Sequence, residues 1–317
     1  KVLNNKTHLL NACRWLMNSQ NAGEDDGFSR HYSLYSKKWD ESYIETTGYI
    51  IPTLVSAGNF LEDEKYKASA LKAGKWLLQK QNLDGSFNDI DKNIPQVFDT
   101  GQCLIGLNFL YKETNEREYL EAGIKASNWL IDCQAEDGSW TKNSYNNLPH
   151  SYYSRVGAAL MDNYSLSKNK VFYEKGLKNI NWCIAQQKRN GFFKYSSFDS
   201  EEKPFLHTLI YIIEGLIDAY KITKKEYILN SVIKLTSKLK KINLERDIIL
   251  FSRYDDNFES IDKSKCITGL AQWAGICIEL YSLTDDEDYF RLAHLVKYID
   301  TNKELVISKS IADKYKL

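Results

Sequence analysis

The chain is short of the residues that punctuate irregular folds. Its 4 prolines and 16 glycines in 317 residues are too few for collagen-like or linker-rich material. It also lacks net charge: 42 lysines and arginines face 42 aspartates and glutamates, so no broad phosphate-binding face is expected and nucleic acid is not an expected partner. No apolar run reaches the roughly 20 residues needed to cross a bilayer, so no transmembrane segment is expected. A basic-then-apolar leader is missing as well, which points to a cytoplasmic location unless a signal peptide has been removed. Cys13, Cys103, Cys133, Cys183, Cys266 and Cys277 are scattered without CxxC spacing, and the 5 histidines form no HExxH motif. They read as reduced core thiols, with no zinc site and no cofactor expected and a divalent metal left open. What the chain does hold is 43% hydrophobic residues, enough for a sizeable core, and 21 tyrosines.

The organising feature is a repeat. Trp15 to Gln20, Trp76 to Gln81, Trp129 to Gln134 and Trp182 to Gln187 share one spacing, and the last three tryptophans lie 53 residues apart. Each is followed by a glycine turn and an aromatic: Asp26-Gly27-Phe28, Asp84-Gly85-Ser86-Phe87, Asp137-Gly138-Ser139-Trp140 and Asn190-Gly191-Phe192. Apolar residues before the tryptophan recur at helical spacing, as at Ala68, Leu71, Lys72, Trp76 and Leu77, so each copy begins with a helix. Aspartate or asparagine followed by glycine stops that helix and turns the chain.

A second apolar helix follows each turn, at about 44–60, 98–112, 153–165 and 206–221, with a further pair near 226–241 and 265–282 and a last helix near 287–300. Small residues punctuate these second helices at Gly48, Gly101, Gly106, Gly157, Ala158, Gly215, Gly269 and Gly275, where close packing is expected, so they are the inner helices. The expected fold is all-α, a single (α/α)6-type toroid or barrel of helical hairpins spanning 1–317 as one domain.

The stretch Gln134-Ala135-Glu136-Asp137-Gly138-Ser139-Trp140 resembles the glutamine-tryptophan repeat of squalene and hopene cyclases, and weaker versions occur across other alpha/alpha toroid enzymes. That superfamily includes protein prenyltransferases, polysaccharide lyases, unsaturated glucuronyl hydrolases and uronyl C5-epimerases. Through Glu45-Thr46-Thr47-Gly48-Tyr49, Phe98-Asp99-Thr100-Gly101-Gln102 and Phe205-Leu206-His207-Thr208, the chain is also similar to toroid proteins encoded in bacterial polysaccharide gene clusters. The resemblance implies a helical-hairpin ring and glycan processing; it does not choose a chemistry.

In such a ring the turns from outer to inner helices gather on one face. The residues that meet there are Trp39, Glu41, Tyr43, Glu45 and Tyr49; Asp99 and Gln102; His150, Tyr152, Tyr153 and Arg155; His207 and Tyr211; and Lys265 and Cys266. Helix N-termini favour anions, and inward aromatic faces suit sugar rings, so an acidic oligosaccharide or polysaccharide is the expected ligand. Proton abstraction at C5 of a uronic acid, giving β-elimination or epimerisation, would use His207 or His150 as base, Tyr153 as proton donor and Arg155 as the charge clamp. Hydrolysis would instead use Glu45 and Asp99, whose similar surroundings suggest equivalent positions on neighbouring helices. Tyr152, Tyr211, Tyr49 and Gln102 would contact substrate, and His31, Tyr35 and Trp39 sit in a long loop able to cover the cavity. Each of these residues also has a plain structural role open to it, as a helix cap or a rim of the core.

Two rivals stand beside these chemistries. A glycan-binding protein without catalysis would use the same bowl. A terpenoid cyclase-like enzyme would share the repeat, but the protonating Asp-x-Asp-Asp motif is absent, as is Asp-Asp-x-x-Asp at Asp255-Asp256 or Asp285-Asp286. The oligomeric state is left open by the sequence.

Overall fold

Residues 5–245 and 250–302 are described by the structure, a computed structural model. Among them the helices run α1 (Asn5–Ala22), α2 (Ile44–Leu61), α3 (Glu64–Lys80), α4 (Val97–Thr114), α5 (Arg117–Cys133), α6 (Ser154–Ser167), α7 (Lys170–Ala185), α8 (Leu206–Thr223), α9 (Glu226–Glu245), α10 (Ile267–Thr284) and α11 (Glu287–Asn302). The expected second helices fall within about two residues of α2, α4, α6 and α8, a spread normal for helix ends.

Burial separates two kinds of helix. In α4 and α8 buried residues run round the whole circumference, whereas α5 buries one stripe of Tyr119, Ala122, Ala126, Trp129 and Leu130. A helix apolar on all sides belongs inside, and one with a single apolar stripe lies on the outside. Contacts agree: α2, α4, α6, α8 and α10 pack each on the next, while α3, α5, α7, α9 and α11 each pack on the inner helix they follow. This is the all-α toroid of paired helices. The part of the chain in which a sixth hairpin would be completed lies outside the described residues.

The inner helices approach closely where glycine allows it. A Cβ at Gly48 would sit 2.4 Å from the Gln102 carbonyl oxygen, and one at Gly215 2.4 Å from the Arg155 nitrogen. Gly275 differs from expectation, with nothing within 4 Å of an added Cβ. The stripe expected on α3 is also shifted: Tyr66, Ala70, Ala73 and Leu77 are buried, while Ala68 and Lys72 are exposed. Leu71 and Trp76 fit several helical faces, and long-range packing on α2 chose among them.

The repeated glutamine acts as a tie between hairpins. Gln81 Nε2 donates to the Gly85 carbonyl in its own turn (3.0 Å) and to the Ala122 carbonyl on α5 (2.9 Å). Gln134 does the same with Gly138 (3.2 Å) and Lys175 on α7 (3.1 Å), and Gln187 with Gly191 (3.0 Å) and Ser231 on α9 (2.9 Å). Gly85, Gly138 and Gly191 have φ of +95°, +97° and +100°, which only glycine adopts without strain. The first copy departs: Gln20 reaches the Asp26 carbonyl at 2.7 Å, and Asp26 itself takes the positive φ, 67°.

Connections differ sharply by face. Inner helices end in left-handed residues, Glu62, Asn115, Lys168, Lys224 and Asp285, and a new helix starts within two residues. Outer helices lead into long loops, 23–43, 81–96, 134–153 and 186–205, which carry a short antiparallel pair, β1 (Tyr32–Ser33) with β2 (Lys38–Trp39). The candidate residues therefore gather on the long-loop face.

Candidate active site

The first turns of α2 and α4 set the carboxylates. Thr47 Oγ1 accepts the Phe28 amide and Thr100 Oγ1 the Phe87 amide, each at 3.0 Å, so these two threonines are equivalent. By that register Asp99 matches Thr46, and Phe98 matches Glu45. The two acids are thus offset by one residue, correcting the equivalence expected from their Thr-Gly contexts. They still share one field. Asp99 is 6% exposed, its Oδ1 has no hydrogen-bond partner, and burial followed by repulsion from Glu45 pushes its carboxyl well above the usual range. Glu45 is half-buried and is also raised by burial, but a 2.6 Å hydrogen bond from the Tyr43 hydroxyl and the charge of Arg155 oppose that rise. Burial raises both carboxyls, and at Glu45 a hydroxyl donor and a cation oppose that rise.

Arg155, the second residue of α6, is the hub of a polar belt. Its Nε donates to Gln102 Oε1 on α4 (3.0 Å), and its Nη1 is paired with Glu214 on α8. Glu214 Oε1 in turn accepts from Gln272 Nε2 on α10 at 3.1 Å. The guanidinium lies over the rings of Tyr211 (4.6 Å) and Tyr49 (5.8 Å). Cation–π contact and ion pairing together fix the group inside the ring.

His150, Tyr152 and Tyr153 are placed differently from expectation. They approach α6 through the turn Ser151–Tyr153, and all three are buried. His150 lies 3.0 Å from the Ser197 carbonyl through Nδ1 and 2.9 Å from the Tyr145 carbonyl through Nε2, so its ring bridges two long loops, and in the neutral form it donates to one of the two carbonyls. Burial lowers its pKa. Tyr153 Oη accepts the Tyr145 amide and contacts Ser144 Oγ, both at 3.0 Å, and burial pushes it upward. Tyr152 stacks on His150 with ring centres 4.7 Å apart and meets Phe98 edge-on.

His207, at the start of α8, is freer. It is half-buried, sits edge-on to Tyr211 at 5.5 Å, and has Nδ1 3.8 Å from Cys266 Sγ at the start of α10. Burial lowers its pKa to about 4, so it is a neutral base near pH 7. The rim residues stand apart from this cluster. Tyr35 is 83% exposed at the hairpin tip, His31 pairs with Asp40 at 3.3 Å, and Trp39 packs on Trp15 (4.6 Å) and Tyr32 (5.0 Å). Arg30 fastens this loop to the next through a two-pronged pair with Asp91, 2.6 and 3.2 Å.

Sequence reading missed Glu214 and Gln272. Their signal was present: Glu214 lies seven residues after His207 and three after Tyr211, on one helical face, and Gln272 is the sixth residue of α10 as Gln102 is of α4. Among the described residues no group of three or more His, Cys, Asp or Glu is arranged to hold a metal ion, and no helix is long and apolar enough to cross a membrane. Two surface cavities lie elsewhere: one of about 450 Å³ between α1 and α2, lined by Leu9, Pro52 and Phe60, and one of about 240 Å³ lined by Asn190, Lys238 and Phe258. Three unpartnered buried atoms, Asp99 Oδ1, Gln102 Nε2 and Gln272 Oε1, belong to the carboxylate–arginine cluster.

Solved structures of this shape are known. An unsaturated glucuronyl hydrolase specific for heparin matches with TM-score 0.73 and 14% identity, over 95% of this chain and 85% of that one. Cellobiose 2-epimerase from Bacillus thermoamylovorans B4167 gives 0.73 and 15%, over 94% and 88%, and a D-mannose isomerase 0.72 and 13%, over 97% and 90%. At such identities the likeness is one of fold. No curated protein matches the sequence. The family model of the squalene-hopene cyclase C-terminal domain matches residues 40–215, more than half of the sequence, and the chain belongs to that family.

Proposed function

We propose that the protein is a carbohydrate-active enzyme that cleaves a glycosidic bond of an oligosaccharide, with Asp99 as general acid and Glu45 as general base or nucleophile. One observation carries this reading: Asp99, with an unpartnered Oδ1 and raised by burial and then by the charge of Glu45, shares a site with a carboxyl whose own rise the Tyr43 hydroxyl and Arg155 oppose. Two carboxyls whose environments drive their pKa values apart are what acid–base cleavage of an acetal requires. Support for a sugar substrate comes from the sugar activities in the names of the similar structures. Family membership supplies the repeat; terpenoid cyclisation is not proposed, because the chain has no Asp-x-Asp-Asp motif. The uronate clamp expected of Arg155 is not part of the reading either, since Glu214 already holds that guanidinium.

The test is hydrolysis of a glycan panel in H2(18)O. The reading requires the heavy oxygen in new reducing ends, lost in Asp99→Asn and Glu45→Gln proteins that still bind the glycan. Saturable binding of chemically unchanged glycan by the wild type would make it a binder instead. A second reading, proton abstraction from a sugar carbon, is favoured by the neutral His207 beside Tyr211. It requires solvent deuterium at a ring carbon, with no heavy oxygen taken up.

A further inference from the structure

The belt of Gln102, Arg155, Glu214 and Gln272 has a fixed hydrogen-bond polarity. Arginine only donates, so Gln102 must present Oε1 to Arg155 Nε, and its NH2 group points away from the hub. A carboxylate only accepts, so Gln272 must present Nε2 to Glu214, and its Oε1 points away. Neither amide can flip without setting donor against donor or acceptor against acceptor. The two outward atoms, Gln102 Nε2 and Gln272 Oε1, are both buried and without a partner. Gln102 as a whole is 0% exposed. An amide with one half fastened and the other unmatched forgoes a hydrogen bond, as Gln134, Asn163 and Asn179 also do elsewhere, but here two such amides flank one arginine–glutamate pair.

Charge sharpens the picture. Glu214 balances Arg155, so the belt is formally neutral, and the further groups that feel the arginine charge, Glu45 and Asp218, are acids. An incoming carboxylate would have to displace Glu214 from the guanidinium and stand beside Glu45. An uncharged ring with hydroxyls faces no such cost, and it offers both a proton acceptor for Gln102 and a proton donor for Gln272.

We infer that this belt is a sugar-binding subsite that selects an uncharged ring over a uronate, with Gln102 donating to one hydroxyl, Gln272 accepting from another, and Glu214 excluding carboxylates. The inference rests on the carbohydrate reading above and narrows it, against the acidic glycan expected from sequence. Gln102 and Gln272 are specificity residues here.

The experiment is calorimetric binding at neutral pH of cellotriose and of the same trisaccharide oxidised to carboxylates at C6. Wild-type protein is expected to bind the neutral sugar at least about tenfold more tightly. Glu214→Gln, which keeps the side-chain shape but frees the arginine charge, is expected to raise affinity for the carboxylated sugar about tenfold and so narrow or reverse the preference. Gln272→Met is expected to weaken neutral-sugar binding about three- to tenfold, the loss of one hydrogen bond. Should Glu214→Gln fail to fold, the wild-type preference and Gln272→Met still decide. Tighter binding of the carboxylated sugar by wild type, or an unchanged ratio in folded Glu214→Gln, overturns the inference alone. If neither sugar binds any protein, the carbohydrate reading falls and the inference with it.

Discussion

The two faces of the ring are built from the same helices and do opposite things. On one face, five turns of two residues each pass from inner to outer helix, and every one begins with a left-handed residue whose amide closes on the helix it leaves, as Asn115 does on Tyr111. Ion pairs lie on the same face, Lys112 with Asp162 at 2.6 Å and Lys221 with Glu279 at 3.1 Å. On the other face the connections run to some twenty residues, and beneath them sit a paired arginine, two raised carboxyls and amide atoms with no partner. Short turns hold the fold; the long loops cover the polar belt.

The largest effect that would break this comparison is on Asp99. Asp99→Asn is expected to lower turnover about 10²- to 10⁴-fold, the usual worth of a positioned acid, measured as initial rate on a cleaved oligosaccharide. The same change should stabilise the protein. Because the folded pKa of Asp99 is raised, its protonated form favours folding below the ordinary aspartate range, and that advantage is lost as pH rises toward the folded value. Asp99→Asn should therefore gain on wild type in urea melts at pH 8 relative to pH 4. No gain at the higher pH would mean that Asp99 is not a buried neutral acid.

Next comes His207. With a folded pKa of about 4 against about 6.5 unfolded, it contributes stability above pH 6.5 that is lost as pH falls toward 4, no more than about 3 kcal/mol. His207→Phe should flatten that acid limb in denaturant midpoints; an unchanged limb would place the histidine in water.

Gln134→Ala removes a tie between hairpins, the bonds from its Nε2 to the Gly138 and Lys175 carbonyls, and is expected to cost about 1–3 kcal/mol in melting without changing the rate per folded molecule. A changed rate at full folding would join the repeat to the chemistry. The smallest effect belongs to the short-turn face: Lys112→Met should shift stability by less than about 1 kcal/mol and leave activity alone.

Much of the ring was legible because repetition multiplies weak signals. One tryptophan-to-glutamine spacing says little, but four in register say where each outer helix ends, and the structure shows why glutamine is the fixed partner: it bonds a turn and the next outer helix at once. The site was legible only in place. Position at the start of an inner helix picked out Glu45, Asp99, Arg155 and His207, which lie on the long-loop face, but it could not tell His150 and Tyr153, which contact loop carbonyls and an amide, from groups left free. Glu214 and Gln272 escaped because they lie deeper along their helices, where a polar residue in one sequence looks like any solvent-facing position. Their meaning comes from Arg155, 59 residues before Glu214.

The central claim is that burial and the neighbouring charge of Glu45 raise the Asp99 carboxyl, while Tyr43 and Arg155 oppose the rise of Glu45. Carbon-detected NMR titration of the Asp99 and Glu45 carboxyls tests it without any substrate. The account predicts that Asp99 titrates well above the ordinary aspartate range, and that Glu45→Gln lowers the Asp99 value by removing the neighbouring charge. Both groups titrating near pH 4, with Asp99 indifferent to Glu45→Gln, would contradict it.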